Sequence, residues 1–563
     1  MRWLMITMIV LMAFACDDGS QKKYPDMEVL TDSDAIAAVC GDGTVAGGEV
    51  CELDDTADCA TVKPDTQGTA TCLIDCSGWD TTACVGADEC AADPTICGDP
   101  EYAACENTDE GYQCTCSNGY IPTSDGKLCV PRYDLEGPIH HGDILLIVNE
   151  DADGSNQAYI GTMPDTFMTL AVPQAATSPS ETTDLPPVRT RDRVLPLPPH
   201  ATPDLRLGIA RAIEPSPDPE VGEIRTFWTS DLNTNLRYQI EAEALHVGTH
   251  CIVWAQRPVV VSATTAQSLG KEFDNTIYEL ITTNFYEASD VDQNGKITIL
   301  FVDTDGQAGG YFSPYELYDL EDSNKADMIY IEQMIAQWGG STYAADVVAH
   351  EFTHLVHNNR DDLVEKKLND NMWMWEGMST SGEHVYRGFQ RDYKSTYNDS
   401  TTVAEGLSVT YWDYYGAEIE ANYALTYLFH QYLRIQLGQG NAFYRELIES
   451  LNNGPQDYDD LIHTYIGEDL DLAQMLTGFR VALITNEKTG LYGFQGETGF
   501  TGFERKYWTG NGGNEFYLRG GGALQIRLTQ PFRAPKDAEK TVRFIGIHSG
   551  TVTKDTREDY ENE

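Results

Sequence analysis

The run Val347-Val348-Ala349-His350-Glu351-Phe352-Thr353-His354-Leu355 contains the pattern H-E-x-x-H. From residue frequencies alone, a chain of this length should hold on the order of 0.02 such matches. The context predicts a helix: Gly339-Gly340 ends the preceding element, Ser341 or Thr342 can cap, and no Pro or Gly interrupts before Asn358. At 100° per residue, Ala345, Val348, Ala349, Phe352 and Val356 fall on one side and His350, Glu351 and His354 on the other. Both imidazoles then face one point and can hold Zn2+ at about 2.0–2.1 Å. The chemistry to expect is hydrolysis of a carbonyl substrate such as a peptide bond, because bound zinc lowers the pKa of its water toward ~7. Glu351 follows the first ligand and cannot also reach the metal. It can accept the water's proton and deliver it to a leaving amine. Tyr423 is the candidate donor to the developing oxyanion, with His384 behind it; the alternative for Tyr423 is a helix-packing aromatic.

A third ligand decides the type of site. The extended pattern H-E-x-x-H-x-x-G-x-x-H is absent, since His357 stands where Gly would be and Arg360 where the last His would be. His357 shares the ligand face but lies about 10 Å along the helix from His350, too far for three imidazoles to meet, and is expected at the rim or behind the ligands. Glu376, in Trp373-Met374-Trp375-Glu376-Gly377-Met378-Ser379, comes 22 positions after His354. Its small neighbours Gly377, Ser379 and Ser381 would let a second helix pack closely on the first. Two His and one Glu with an open fourth position is a hydrolytic zinc arrangement.

At this point the chain resembles a known group. Gly309-Gly310-Tyr311-Phe312, Ser323-Asn324, Met328-Ile329-Tyr330, the H-E-x-x-H run and Trp375-Glu376-Gly377 resemble hyicolysin-type zinc metallopeptidases of the gluzincin class, over roughly 220–480. Tyr423, Leu428-Phe429 and Tyr432-Leu433 before Gly438 fit the helical subdomain of such enzymes. The resemblance implies an α+β zincin (thermolysin-like) domain with His350, His354 and Glu376 as zinc ligands and Glu351 as general base. Aminopeptidase-type gluzincins are the second match, their interval between the second His and the Glu being shorter.

The rest of the chain concerns delivery and positioning. With 89 Asp and Glu against 37 Lys and Arg, the formal charge of −52 argues against nucleic acid as a partner. Residues 17–131 hold 24 Asp and Glu against 4 Lys, and 12 of the 14 cysteines lie between Cys40 and Cys129. So dense a set in a short stretch reads as a disulfide framework in an oxidising compartment. Residues 1–15 have a basic start, a dozen or so apolar residues too few to span a bilayer, and Ala13-Phe14-Ala15 before Cys16, which is the pattern of a signal peptide. Two cleavages fit. A small residue before Cys16 resembles a bacterial lipobox, with 16–39 as an acidic tether; Ala-x-Ala also suits ordinary signal peptidase, in which case Cys16 could pair with Cys251. Cys251 otherwise reads as a buried apolar residue.

Two cysteine modules come next along the chain. Cys40-Gly41-Asp42-Gly43, Gly48-Glu49-Val50-Cys51, Cys59, Cys72, Cys76 and Cys84 resemble the cysteine-rich repeat of secreted and myxobacterial-type surface proteins. Cys90, Cys97, Cys105, Cys114, Cys116 and Cys129, with Gly119-Tyr120, resemble an EGF-like module, which implies bridges 90–105, 97–114 and 116–129. Asp88-Glu89, Asn107 and Tyr112 are similar to its calcium-binding subtype, but Gly86 replaces that subtype's first acid. The other reading of both modules is a stapled spacer without ligand.

A second candidate metal loop is Asp290-Val291-Asp292-Gln293-Asn294-Gly295. Asp290, Asp292 and Asn294 match the start of a Ca2+ loop, but Phe301 stands where a bidentate Glu would close it. It is either a calcium-binding turn or a plain acidic turn before a strand at 297–302.

The expected organisation is a signal peptide at 1–15, an acidic tether at 16–39, a cysteine-rich repeat at 40–84 and an EGF-like module at 86–130. A β-rich region at 133–262 contains an extended stretch at 173–219 with 11 prolines. The zinc metallopeptidase domain occupies 263–488 and a small β-rich unit 489–563. The expected fold class is α+β and multi-domain, the disulfide-rich modules preceding the peptidase domain. The expected protein is an exported zinc endopeptidase acting on protein or peptide substrates, extracellular or on the bacterial surface or outer membrane, and touching a membrane only through a lipid at Cys16. The alternative is a non-catalytic surface adhesion or binding protein built on the same scaffold.

Overall fold

The computed structural model describes residues 50–62, 66–86, 89–92, 94–97, 100, 103–108, 111–116, 120–122, 127, 129–131, 139, 143–162, 205–207, 217–361, 371–412, 419–450, 452, 454–508, 516–528 and 532–555. The leader at 1–15, Cys16, the tether at 16–39, Cys40 and most of the proline-rich stretch lie outside the described residues. The chain divides into two compact units, at Ala87/Asp88.

The first unit has little apolar surface to bury and is held by sulfur. Cys51–Cys72 and Cys59–Cys84 close loops of 21 and 25 residues around a small three-stranded sheet, each worth about 3 kcal/mol by loop-closure entropy. Cys76 is disulfide-bonded as well. In the second unit the first bridges are Cys90–Cys105, Cys97–Cys114 and Cys116–Cys129, the same pairs that the EGF resemblance implies. They pin a hairpin of Ala103–Thr108 and Gly111–Cys116. The N-terminal part of the chain is thus disulfide-rich.

Helix and sheet are mixed in the remainder of the second unit. A six-stranded sheet runs β1 (Ile224–Asp231), β2 (Leu236–Val247), β3 (Cys251–Gln256), β4 (Ile297–Val302), β6 (Met328–Glu332) and β5 (Gly310–Phe312), in that spatial order. The pairs β3–β4 and β4–β6 are parallel, whereas β5 joins β6 antiparallel and forms an edge. Parallel neighbours need a crossover, and α1 (Ala263–Glu272) lies in the one between β3 and β4. Strands buried on both faces read as unbroken apolar runs, which is why Ile-Thr-Ile-Leu-Phe-Val of β4 shows no polar alternation. Alternate residues still go to opposite sides. Val253, Ile299 and Ile331 join the main core with the helices, while Trp254, Leu300 and Tyr330 form a second cluster on the other face.

The helices stacked on the main core are α2 (Gly340–Arg360), α3 (Met372–Arg387), α4 (Ile419–Leu437) and α5 (Leu472–Thr485). The start of α2 differs from expectation. Ser341 and Thr342 lie inside it, and the N-cap is Gly339 without a side-chain bond, since the preceding short helix Gln333–Trp338 runs almost directly into it. The whole helix from Ala344 onward is buried apart from Asp346, so its polar face looks into protein rather than water.

The expected strand at 144–148 forms as Ile144–Asn149, and it pairs with both Ala523–Arg527 and Val542–His548, the latter also carrying Thr551–Asp555. The C-terminal strands therefore share one sheet with Ile144–Asn149. Likewise the six-stranded sheet extends across the limit expected at 262/263. Cys251 is a free, buried thiol whose Sγ lies 3.6 Å from the Gly270 carbonyl oxygen, and burial raises its pKa well above the ordinary value.

Candidate metal centre

One turn separates His350 and His354 on α2, and both are buried, at 1% and 0% exposure. Glu376, also at 0%, comes from the first part of α3. Its Oε2 lies 3.3 Å from Nε2 of His350 and 3.3 Å from Nε2 of His354. One donor atom from each of the three residues lies within 4.8 Å of the others. This convergence depends on how closely α3 approaches α2. A Cβ on Gly382 would come 2.0 Å from Thr353 Oγ1 and 3.2 Å from the Ala349 carbonyl oxygen, so glycine lets the two backbones meet. Gly377 serves a different contact from the one expected. It faces α4, where an added Cβ would strike His430 and Thr426.

The electrostatics suit a cation. Burial would raise the Glu376 pKa, but the neighbouring His354 and His350 outweigh it and hold the carboxyl below its usual range. Burial lowers the pKa of His354, which favours the neutral ring with a free lone pair. Glu376 Oε1 and His354 Nδ1 are buried without a hydrogen-bond partner among the described residues, and each such atom costs about 1–3 kcal/mol unless something satisfies it. Two imidazoles and a carboxylate form a donor set suited to zinc.

A supporting layer surrounds the three. Nδ1 of His350 lies 2.8 Å from Glu383 Oε1, and the same oxygen accepts the Tyr393 hydroxyl at 2.7 Å. Trp375 stacks on both His354 and His357, with ring centroids 5.6 and 5.1 Å apart. His357 is accordingly buried behind the site and not at a rim, and burial together with His354 and His430 pushes its pKa down to about 3. Glu351 is fully buried beside the edge strand: a Cβ at Gly310 would meet Glu351 Cγ and Oε1 at 2.9 Å and Val347 Cγ1 at 2.7 Å.

Tyr423 lies on α4 with its ring 6.3 Å from that of His350, and Trp412 packs edge-on against it at 4.8 Å. His384 does not join this group; its Nδ1 lies 3.0 Å from the Tyr427 hydroxyl and its ring faces Phe500. Asp290 and Asp292 come together with Asp327, a residue outside the motif, while Asn294 donates to Asp292 Oδ2 at 2.6 Å. Sequence reasoning also missed Glu383. It follows Glu376 by seven residues, two helical turns, and so lies on the same face of α3.

A buried centre of this composition, on helices against a mixed sheet, fits a metalloprotease. No family model matches the chain. It is 31% identical over 344 residues to the neutral metalloprotease ShpI of Staphylococcus hyicus, covering 58% of this chain and 77% of that one, and the chain belongs to the family of that metalloprotease. The structure of native yeast LTA4 hydrolase aligns over 44% of this chain and 42% of that chain at 13% identity, with a TM-score of 0.27, too low to support any inference.

Proposed function

We propose that the protein is a zinc-dependent endopeptidase. The observation that carries this reading is the convergence of His350, His354 and Glu376, buried, with Glu351 next to the first ligand on the same helix. The two histidines and Glu376 would hold the ion, which when bound supplies a Lewis acid for the peptide carbonyl and acidifies a water molecule. Glu351 takes the proton from the attacking water and returns it to the leaving nitrogen. Glu383 accepts from Nδ1 of His350, so that Nε2 keeps its lone pair for the ion. Tyr423 lies beside His350 and is the residue we assign to the developing oxyanion.

The reading includes delivery. Export by the leader, with Cys16 as a lipid-bearing residue and the cysteine-rich segments (40–84 and an EGF-like 86–130) as a stalk, agrees with five disulfides among the described residues. No described helix is long and apolar enough to cross a membrane. The deciding experiment is Glu351→Gln, scored for bound zinc and for casein cleavage. Zinc retained with proteolysis lost is expected; unchanged cleavage overturns the assignment.

A further inference from the structure

β4 and β6 are parallel neighbours, paired from Thr298 with Met328 onward, so the segments leading into them begin side by side. One of these segments is the loop Asp290-Val291-Asp292-Gln293-Asn294-Gly295, and the other ends in Asp327. The topology thus brings to the loop a carboxylate distant in sequence. It takes the place for which the loop itself offers only Phe301, a residue buried in the strand.

Single carboxylate oxygens of Asp290, Asp292 and Asp327 lie within 4.8 Å of one another. Ligands sharing one Ca2+ at about 2.3–2.6 Å can be no farther apart than about 5 Å. Asp327 is 1% exposed and Asp292 8%. Oδ1 of Asp292 is buried with no hydrogen-bond partner, although Oδ2 accepts from Asn294. A buried, unpaired carboxylate oxygen on a residue clustered with two further carboxylates is costly unless a cation joins them.

Nearby cations do not discharge the cluster. Lys296, in the same loop, turns its Nζ to the Thr249 carbonyl at 3.1 Å and to Asp218 at 3.6 Å. Arg206 lies near Asp327, yet its Nη1 is bound to the carbonyls of Leu207 and Leu317, and one guanidinium against three carboxylates leaves a surplus of negative charge. Asp292 and Asn294 also line a cleft of about 420 Å³ with Thr298, Asn324 and Lys325, and Asp290 is exposed.

We propose that Asp290, Asp292 and Asp327 form a second metal site, for a calcium-like hard divalent cation, which ties the loop before β4 to the start of β6. The site lies apart from the His350–His354–Glu376 centre, draws on none of its residues, and acts on stability. Asp327 supplies the closing carboxylate, and Asn294 orients Asp292.

The test is thermal unfolding of the zinc-saturated full-length protein in calcium-free buffer, with added CaCl2 or MgCl2. CaCl2 in about 100-fold excess over its dissociation constant should raise the midpoint by on the order of 5 °C, and MgCl2 by less. Asp290→Asn, at the exposed corner, and Asp292→Asn should each lose most of the calcium shift with zinc content unchanged. In calcium-free buffer Asp292→Asn should melt at or above the parent, since a neutral amide replaces a crowded carboxylate. A parent with no calcium shift, or variants that both keep the full shift, would overturn the proposal, as would Asp292→Asn that melts lower without calcium and still responds fully to it.

Discussion

His350 directs Nδ1 to Glu383 at 2.8 Å and Nε2 to Glu376 at 3.3 Å, so one imidazole links two carboxylates set two turns apart on the same helix. The first contact determines what the second can do. A proton on Nδ1, donated to Glu383, would leave Nε2 a lone pair for an ion, and a carboxylate acceptor makes that nitrogen more basic.

Replacing Glu383 by Gln should therefore leave the protein folded and weaken zinc binding by 10- to 100-fold. Competition with a chromogenic zinc chelator reads this directly. An affinity equal to the parent's would mean that Glu383 matters only to Tyr393, its other partner at 2.7 Å.

Gly310 makes a second, separable prediction. A methyl at this edge-strand position would come 2.9 Å from Glu351 Oε1 and 2.7 Å from Val347 Cγ1. Gly310→Ala should displace the Glu351 carboxylate by a fraction of an ångström, lowering kcat on the order of 10- to 100-fold with bound zinc unaltered. Steady-state kinetics beside metal analysis checks it; a variant that loses zinc in proportion to activity would place the damage at the ligands instead.

What could be read from the chain alone is set by a physical boundary. His350, Glu351 and His354 share one helix, so spacing alone predicts their common face, and β4 could be read from six successive residues. The three bridges that the EGF resemblance implies are local too, each closing 13 to 17 residues. Asp327 is different: it reaches Asp292 because two parallel strands begin together, and nothing in local periodicity records that pairing. The sheet that joins Ile144–Asn149 to Val542–His548 spans nearly 400 residues and was equally hidden. Small residues on α3 pointed to close packing, yet the identity of the partner was not legible, Gly377 turning to α4 and Gly382 to α2.

Acid should destabilise the protein through histidines that are not ligands. His430 is fully buried, with Nδ1 2.8 Å from the Thr426 carbonyl and Nε2 2.6 Å from the Tyr458 hydroxyl; burial lowers its pKa to about 4. Burial likewise lowers those of His384 and His357 to about 3. All three folded values lie below the unfolded value near 6.5, so the unfolded chain binds more protons and stability is lost as pH falls from about 6.5 toward 4. Between pH 6.5 and 5 the three together should cost about 5 kcal/mol. Urea unfolding across that range measures it, and His430→Gln should remove about a third of the slope. A variant with the parent's full slope would exclude His430 as a source.

The contact between Gly382 and Thr353 should couple the stability of the two helices to metal affinity. In an exposed helix interior Gly→Ala gains about 1 kcal/mol of propensity, but here the new methyl would lie 2.0 Å from Thr353 Oγ1. Overpacking of that kind costs typically 1–3 kcal/mol, and it pushes apart the helices that carry His354 and Glu376. Gly382→Ala should therefore unfold at lower urea and bind zinc more weakly. Thr353→Ala removes the obstructing hydroxyl, whose own hydrogen bond goes to the Ala349 carbonyl at 2.7 Å. Adding it to Gly382→Ala should recover most of both losses, with an interaction energy above 0.5 kcal/mol in the double-mutant cycle. Additive effects of the two substitutions would show that α2 and α3 are held by contacts other than this one.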